Sequence, residues 1–263
     1  MATDNIGGID LFWEVRGRGP RLVFCNGSGS TLAEARLLLN VLGDGFEVLA
    51  FDYRGLGASG PTPGPYVMAD VARDVLGLMD RVGWDQARLC GISFGGMVAQ
   101  EVAVTAPSRV QRLALLCTSA GGRGGSSYPL HELDDLDHHE RIQRRRSLID
   151  TRFDESWLAA HPNDAALVDF VVRPDAVDTP DLVGRRAQMA ARRTHDVWDR
   201  LHRITCPTMV AAGRYDPVAP LANSEALAGR IDGAELRVYE GGHLFIVQDQ
   251  AAGPEITDFL AST

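Results

Sequence analysis

Residues 87–105 read ARLCGISFGGMVAQEVAVT, and this stretch decides the fold. Ala87–Ile92 is a short apolar run of the kind that forms a strand buried on both faces. Phe94–Thr105 follows without a spacer as an apolar helix, stopped by Pro107. Between them stands Gly91-Ile92-Ser93-Phe94-Gly95, the G-x-S-x-G pattern at a strand-to-helix turn. A turn that tight holds its central residue in strained geometry, and flanking glycines remove the Cβ atoms that would clash. The Ser93 hydroxyl would then stand above the sheet, at the positive end of the helix. The plainer role for such a serine is to cap the helix.

Working outward, the same strand, turn, helix rhythm recurs. Arg21–Cys25 is an apolar run closed by Asn26-Gly27-Ser28-Gly29, before a helix over Thr31–Leu42. Phe46–Phe51 is a second run, ended by Asp52, and Tyr66–Val82 has helical apolar spacing. Val110–Cys117 is a further strand, and Gly121–Ser127 (GGRGGSS) reads as a flexible linker. From Tyr128 to Arg203 no strand stands out, and His131–Thr151, Glu155–Val172 and Asp181–Leu201 read as helices. After Pro207 the alternation returns with strand Thr208–Ala212, helix Pro220–Ile231, strand Glu235–Tyr239 and helix Ala251–Leu260. Buried strands alternating with helices imply an α/β fold, a mostly parallel central sheet with helices on both faces. The expected division is a core over 1–121 and 204–263 with a helical cap over 122–203.

Ligands of an open parallel sheet bind outside the carboxyl ends of its strands, so the residues after each strand matter most. A serine there needs a base. Of seven histidines, six fall in the expected cap. The seventh, His243, follows strand Glu235–Tyr239 through Glu240-Gly241-Gly242. The base in turn needs a group to hold its tautomer. Asp216 follows strand Thr208–Ala212 through Gly213-Arg214-Tyr215, whereas Thr118 to Gly122, the other strand-end position, holds no carboxylate. The order Ser93, Asp216, His243 suits nucleophile, acid and base on such a sheet.

The chain has 263 residues, 45% of them hydrophobic and 23% charged, which fits a globular protein and excludes disorder or a collagen-like chain. Lys plus Arg number 26 against 35 Asp plus Glu, a net charge of −9 that argues against nucleic-acid or anionic-membrane partners. Cys25, Cys90, Cys117 and Cys206 show no metal or redox spacing and lie in or beside apolar runs. No signal peptide and no eighteen-residue apolar span are visible, so a cytoplasmic location is expected; a homodimer is compatible with the sequence.

The chain resembles an α/β-hydrolase over essentially its whole length. The likeness is carried by Asn26-Gly27-Ser28-Gly29, Asp52-Tyr53-Arg54-Gly55-Leu56-Gly57-Ala58-Ser59, Gly91-Ile92-Ser93-Phe94-Gly95-Gly96, Gly213-Arg214-Tyr215-Asp216-Pro217 and Gly241-Gly242-His243. It is most similar to small capped bacterial enzymes: enol-lactonases, esterases, C–C bond hydrolases and cofactor-free haloperoxidase-like proteins. The resemblance implies an oxyanion hole from the backbone N–H groups of Phe94 and Ser28. Asn26 stands where the family commonly has histidine, and its amide can also hydrogen-bond the backbone there. The expected function is hydrolysis of a small carboxylic ester or lactone through an acyl-enzyme on Ser93, with no metal or organic cofactor. The alternatives are C–C hydrolysis or perhydrolysis with the same triad, and a non-catalytic ligand-binding homologue.

Three features invite other readings. Gly55 to Gly60 matches G-x-G-x-x-G, but Pro61, Pro63 and Pro65 deny it the helix a dinucleotide site needs. Asp52 and Arg54 are expected to fix this loop against the nucleophile helix. The cluster Asp134 to Glu140 lacks metal-ligand spacing and reads as a solvated face. Arg185, Arg186, Arg192 and Arg193 read as a solvated face, with a carboxylate clamp as the sharper reading.

Overall fold

The apolar runs that lead to Ser93, Asp216 and His243 are strands of one sheet. The computed structural model describes residues 1–41, 45–172 and 182–262. Its strands are β1 (Ala2–Ile6), β2 (Ile9–Gly17), β3 (Arg21–Cys25), β4 (Glu47–Phe51), β5 (Ala87–Ile92), β6 (Val110–Leu116), β7 (Thr208–Gly213) and β8 (Glu235–Tyr239). They form an eight-stranded sheet in the order β1-β2-β4-β3-β5-β6-β7-β8. The β1–β2 and β2–β4 pairs are antiparallel and the remaining pairs parallel. Parallel pairing brings the carboxyl ends of β3 and β5 to β8 to a common edge.

The helices are α1 (Arg36–Val41), α2 (Met68–Arg81), α3 (Phe94–Thr105), α4 (His138–Ser147), α5 (Glu155–Ala160), α6 (Pro162–Val171), α7 (Leu182–Arg193), α8 (Leu221–Arg230), α9 (Phe245–Gln248) and α10 (Ala252–Ala261). On one face of the sheet α2, α3 and α8 bury Val71, Val75, Val98, Val102 and Leu227. On the other, α1, α9 and α10 bury Leu39, Phe245, Ile256 and Leu260. Each such side chain removed from water contributes about 1.5–3 kcal/mol. α4 to α7 all lie between β6 and β7, and Ile149, Phe153, Val168 and Val172 form a separate apolar cluster there.

The amino-terminal hairpin of β1 and β2 is not anticipated by the apolar runs. Its strands alternate half-buried with exposed residues around the Gly7-Gly8 turn, where both φ values are positive (58° and 91°). Gly121–Ser127 is not the flexible linker its composition suggests. Gly121 forms a β-bridge with Asp196, and Asn223 Nδ2 donates to the Ser126 carbonyl at 3.1 Å. The expected helix over Glu155–Val172 is broken at Pro162, which starts α6. Those over Thr31–Leu42 and Asp181–Leu201 shorten to α1 and α7, and Leu42 and Asp181 lie outside the described residues. Among the described residues no helix is long and apolar enough to cross a membrane.

Candidate active site

Ser93 follows β5 and precedes α3 with φ 54° and ψ −116°, a left-handed backbone that costs a side-chain-bearing residue about 1–3 kcal/mol. Close packing of its glycine neighbours holds it there. A Cβ on Gly91 would strike the carbonyl of Gly95, and one on Gly95 would strike the carbonyl of Cys25. Ser93 N–H donates to the Leu116 carbonyl at 2.8 Å, and Thr118 Oγ1 donates to the Ser93 carbonyl at 2.8 Å. The Ser93 side chain makes no cap hydrogen bond to α3. Its Oγ instead lies 3.1 Å from His243 Nε2.

Asp216 sits in the turn after β7 and His243 in the turn after β8. His243 Nδ1 lies 2.8 Å from Asp216 Oδ2, while Asp216 Oδ1 accepts the N–H groups of Val218 at 2.7 Å and Ala219 at 2.9 Å. An ionised carboxylate only accepts, so the imidazole proton belongs on Nδ1 and the Nε2 lone pair faces the serine hydroxyl. Burial opposes a charge on His243, but the Asp216 charge and hydrogen bond, with a contribution from Cys117, outweigh it and hold the imidazole well above its ordinary pKa. The three sequence-predicted residues are thus in one hydrogen-bonded line.

The loop after β3 runs alongside. A Cβ on Gly27 would stand 3.9 Å from the Ser93 Cβ, and Ser28 shares a cavity wall with Ser93. Asn26 braces this loop: its Nδ2 donates to the Thr31 carbonyl at 3.2 Å and its Oδ1 accepts the Gly27 N–H at 2.9 Å. Phe94 is fully buried with its ring edge-on to Tyr53, centroids 5.2 Å apart. Asp52 ties the second glycine-rich loop to the first, accepting from Leu32 N–H at 2.5 Å and Ala58 N–H at 2.8 Å. Arg54 does not reach the nucleophile helix; it forms a two-pronged pair with Asp74 of α2, at 2.7 and 2.6 Å.

Cys117 escapes sequence reasoning. It closes β6 at φ 41°, and its Sγ, a carboxylate oxygen of Asp216 and a ring nitrogen of His243 lie within 4.8 Å of one another. Burial raises its thiol pKa, against the pull of His243. Among the described residues this is the one cluster with three potential metal donors, and two of them already bond each other. Asp137 caps α4 through the Glu140 N–H at 2.9 Å.

A cavity of about 360 Å³ opens above Ser93 and His243, walled by apolar residues such as Ile92, Leu133, Leu148, Val172 and Met189 and by several arginines. Phe153 and Trp157 pack within the insert, and Trp198 packs on the main core.

The α/β hydrolase fold family matches residues 20–143. A hydrolase of known structure from Pseudomonas aeruginosa PA01 is 31% identical, with a TM-score of 0.80 over 99% of this chain and 98% of that one. A poly(3-hydroxyalkanoate) depolymerase from Ectopseudomonas oleovorans is 28% identical, covering 92% of this chain and 84% of its own. The 3-oxoadipate enol-lactonase 2 of Acinetobacter baylyi is 27% identical, over 89% and 85%. The chain belongs to the α/β-hydrolase family. Its relatives are hydrolases, and its mostly parallel eight-stranded sheet is that family's fold.

Proposed function

We propose that the protein is a serine hydrolase that cleaves a small carboxylic ester or lactone. The observation that carries the reading is the line from Ser93 Oγ to His243 Nε2, 3.1 Å, and from His243 Nδ1 to Asp216 Oδ2, 2.8 Å. Ser93 Oγ attacks the carbonyl carbon as His243 Nε2 takes its proton, and Asp216 stabilises the imidazolium. The backbone N–H groups of Phe94 and Ser28 receive the developing oxyanion. His243 then gives the proton to the leaving oxygen, the C–O bond breaks and an acyl-enzyme remains. Water, deprotonated by His243, releases the acid.

In this reading the cap is 122–203 and the core 1–121 and 204–263, and the cap's described residues 122–172 and 182–203 help wall the cavity off from bulk water. The lactone-cleaving name of one relative fits a cyclic ester as substrate. Three buried free thiols, Cys25, Cys90 and Cys117, fit a reducing, cytoplasmic setting.

Hydrolysis of p-nitrophenyl acetate, butyrate and octanoate and of a simple lactone tests the reading. The expected result is turnover by the wild type and a loss of roughly 10⁴-fold or more in Ser93→Ala. Full activity in Ser93→Ala would contradict it.

A further inference from the structure

We propose that the cavity takes a substrate bearing a free carboxylate in addition to the scissile bond, and that Arg185 receives it. The chain carries a net charge of −9, yet four arginines line the cavity: Arg141 and Arg145 from α4, Arg185 and Arg186 from α7. Among the described residues no Asp or Glu lines it. Positive charge concentrated in one concave, largely apolar wall of an acidic protein selects an anion of the opposite sign.

Arg185 is the member of the set built to pair. Its guanidinium lies against the loop that follows β3, where a Cβ on Gly29 would meet its Nη1 at 3.5 Å. One turn along α7, Gln188 accepts the Gly29 N–H at 2.6 Å, fixing the helix to that loop. Gly184 lies directly on Gly55, so α7 is anchored on both sides of Arg185. Among the described residues Arg185 pairs with no carboxylate, and its buried Nε has no hydrogen-bond partner. Arg141 shares an unpartnered buried Nε, but its Nη2 already donates to the Leu136 carbonyl at 2.9 Å, and Arg186 is exposed. A planar guanidinium presents a fork that fits a carboxylate through two parallel hydrogen bonds. Leu133, Leu148 and Val218 also line the cavity and suit a short carbon chain between carboxylate and carbonyl.

This inference rests on the hydrolase reading only for its kinetic arm. In that arm, mono-p-nitrophenyl glutarate is compared with its methyl ester, in which the free carboxylate is capped and its charge removed, with release of p-nitrophenol as the readout. The acid is expected to be favoured about tenfold or more in kcat/KM, and Arg185→Gln to reduce that preference about tenfold, chiefly through KM. Arg185→Lys, which keeps the charge but not the fork, should retain part of it, and Arg193→Gln, an exposed position on α7, all of it.

The binding arm needs no turnover: glutarate, adipate and inorganic phosphate are titrated into the wild-type protein by calorimetry. Dicarboxylate binding weakened about tenfold in Arg185→Gln supports the site, even if no ester is hydrolysed and the hydrolase reading falls. Hydrolysis without preference for the acid, together with no dicarboxylate binding, overturns the site and leaves the hydrolase reading standing. Binding of phosphate alone, or a loss that follows Arg145→Gln instead of Arg185→Gln, also overturns it.

Discussion

The backbone N–H of His243 donates to the carbonyl of Ile149, 2.6 Å away, so the loop carrying the imidazole is tied to the helical insert as well as to the sheet. Two residues on, Thr151 N–H donates to the carbonyl of Tyr215, beside Asp216, at 3.0 Å. Between them Asp150, fully buried, accepts from Gln248 Nε2 at 3.0 Å and from the Arg152 guanidinium at 2.9 and 2.6 Å. Gln248 Oε1 accepts the Gly242 N–H at 2.9 Å. One short stretch of the insert thereby fixes the loops of both Asp216 and His243.

Gln248→Leu tests that tie. It strands the buried Gly242 N–H and removes a donor from Asp150, which should cost about 1–3 kcal/mol. For a chain of this size thermal unfolding should fall by a few degrees, about 2–4 °C per kcal/mol. Because the His243 loop loosens, kcat is expected to drop more than KM rises, as steady-state kinetics would read.

Gly95→Ala tests the turn. A Cβ there would overlap the Cys25 carbonyl, backbone that cannot swing aside, so β3 and α3 must separate. The expected destabilisation is at least about 3 kcal/mol, a value confined to specific mechanisms such as this one. Denaturant titration of the variant beside the wild type measures it.

Asp216→Asn tests the source of the raised His243 pKa. In the proposed mechanism the base works only when neutral, so kcat/KM is expected to rise with pH as His243 loses its proton. Since the Asp216 carboxylate helps hold that pKa up, removing its charge should move the acid limb of the profile to lower pH. The maximal rate should fall by about 10⁴-fold, because the amide no longer holds the required tautomer. A pH–rate profile of both proteins reads limb and amplitude.

His195 gives a stability prediction of the opposite sign. Burial pushes its pKa down to about 4, against the charges of Glu101 and Asp196. The folded state therefore holds a neutral imidazole that the unfolded chain protonates below about 6.5. Its stabilising contribution is complete above that pH and is lost as pH falls towards 4, by up to about 3 kcal/mol. Urea titrations at pH 4.5 and 7 should show a smaller difference in His195→Gln than in the wild type. His243, held high, changes stability in the other direction, and comparing the two proteins cancels it.

The legible parts of the molecule are those where one local signal decides. β3, β5 and β8 fall on the apolar runs Arg21–Cys25, Ala87–Ile92 and Glu235–Tyr239, and α3 begins and ends where glycine and proline require. Ser93, Asp216 and His243 are legible because strand ends on a parallel sheet converge. The β1–β2 hairpin is not, since Asp4, Asn5 and Asp10 dilute its alternation and its pairing with β4 is set by tertiary contact. Gly121–Ser127 has linker composition, yet its fixed path comes from Asp196 and Asn223, distant in sequence. Cys117 beside His243, Ile149 beneath the His243 loop and Gln188 under Gly29 carry no local signature at all, because each acts through a partner more than ninety residues away.

The most direct test of the central claim is reaction with a fluorophosphonate, read by intact mass and peptide mapping on the wild type, Ser93→Ala and His243→Ala. A single adduct on Ser93 is expected in the wild type, none in Ser93→Ala, and labelling slowed by orders of magnitude in His243→Ala. Equal labelling of Ser93→Ala, or ester turnover by a wild-type protein that takes no label, would contradict it.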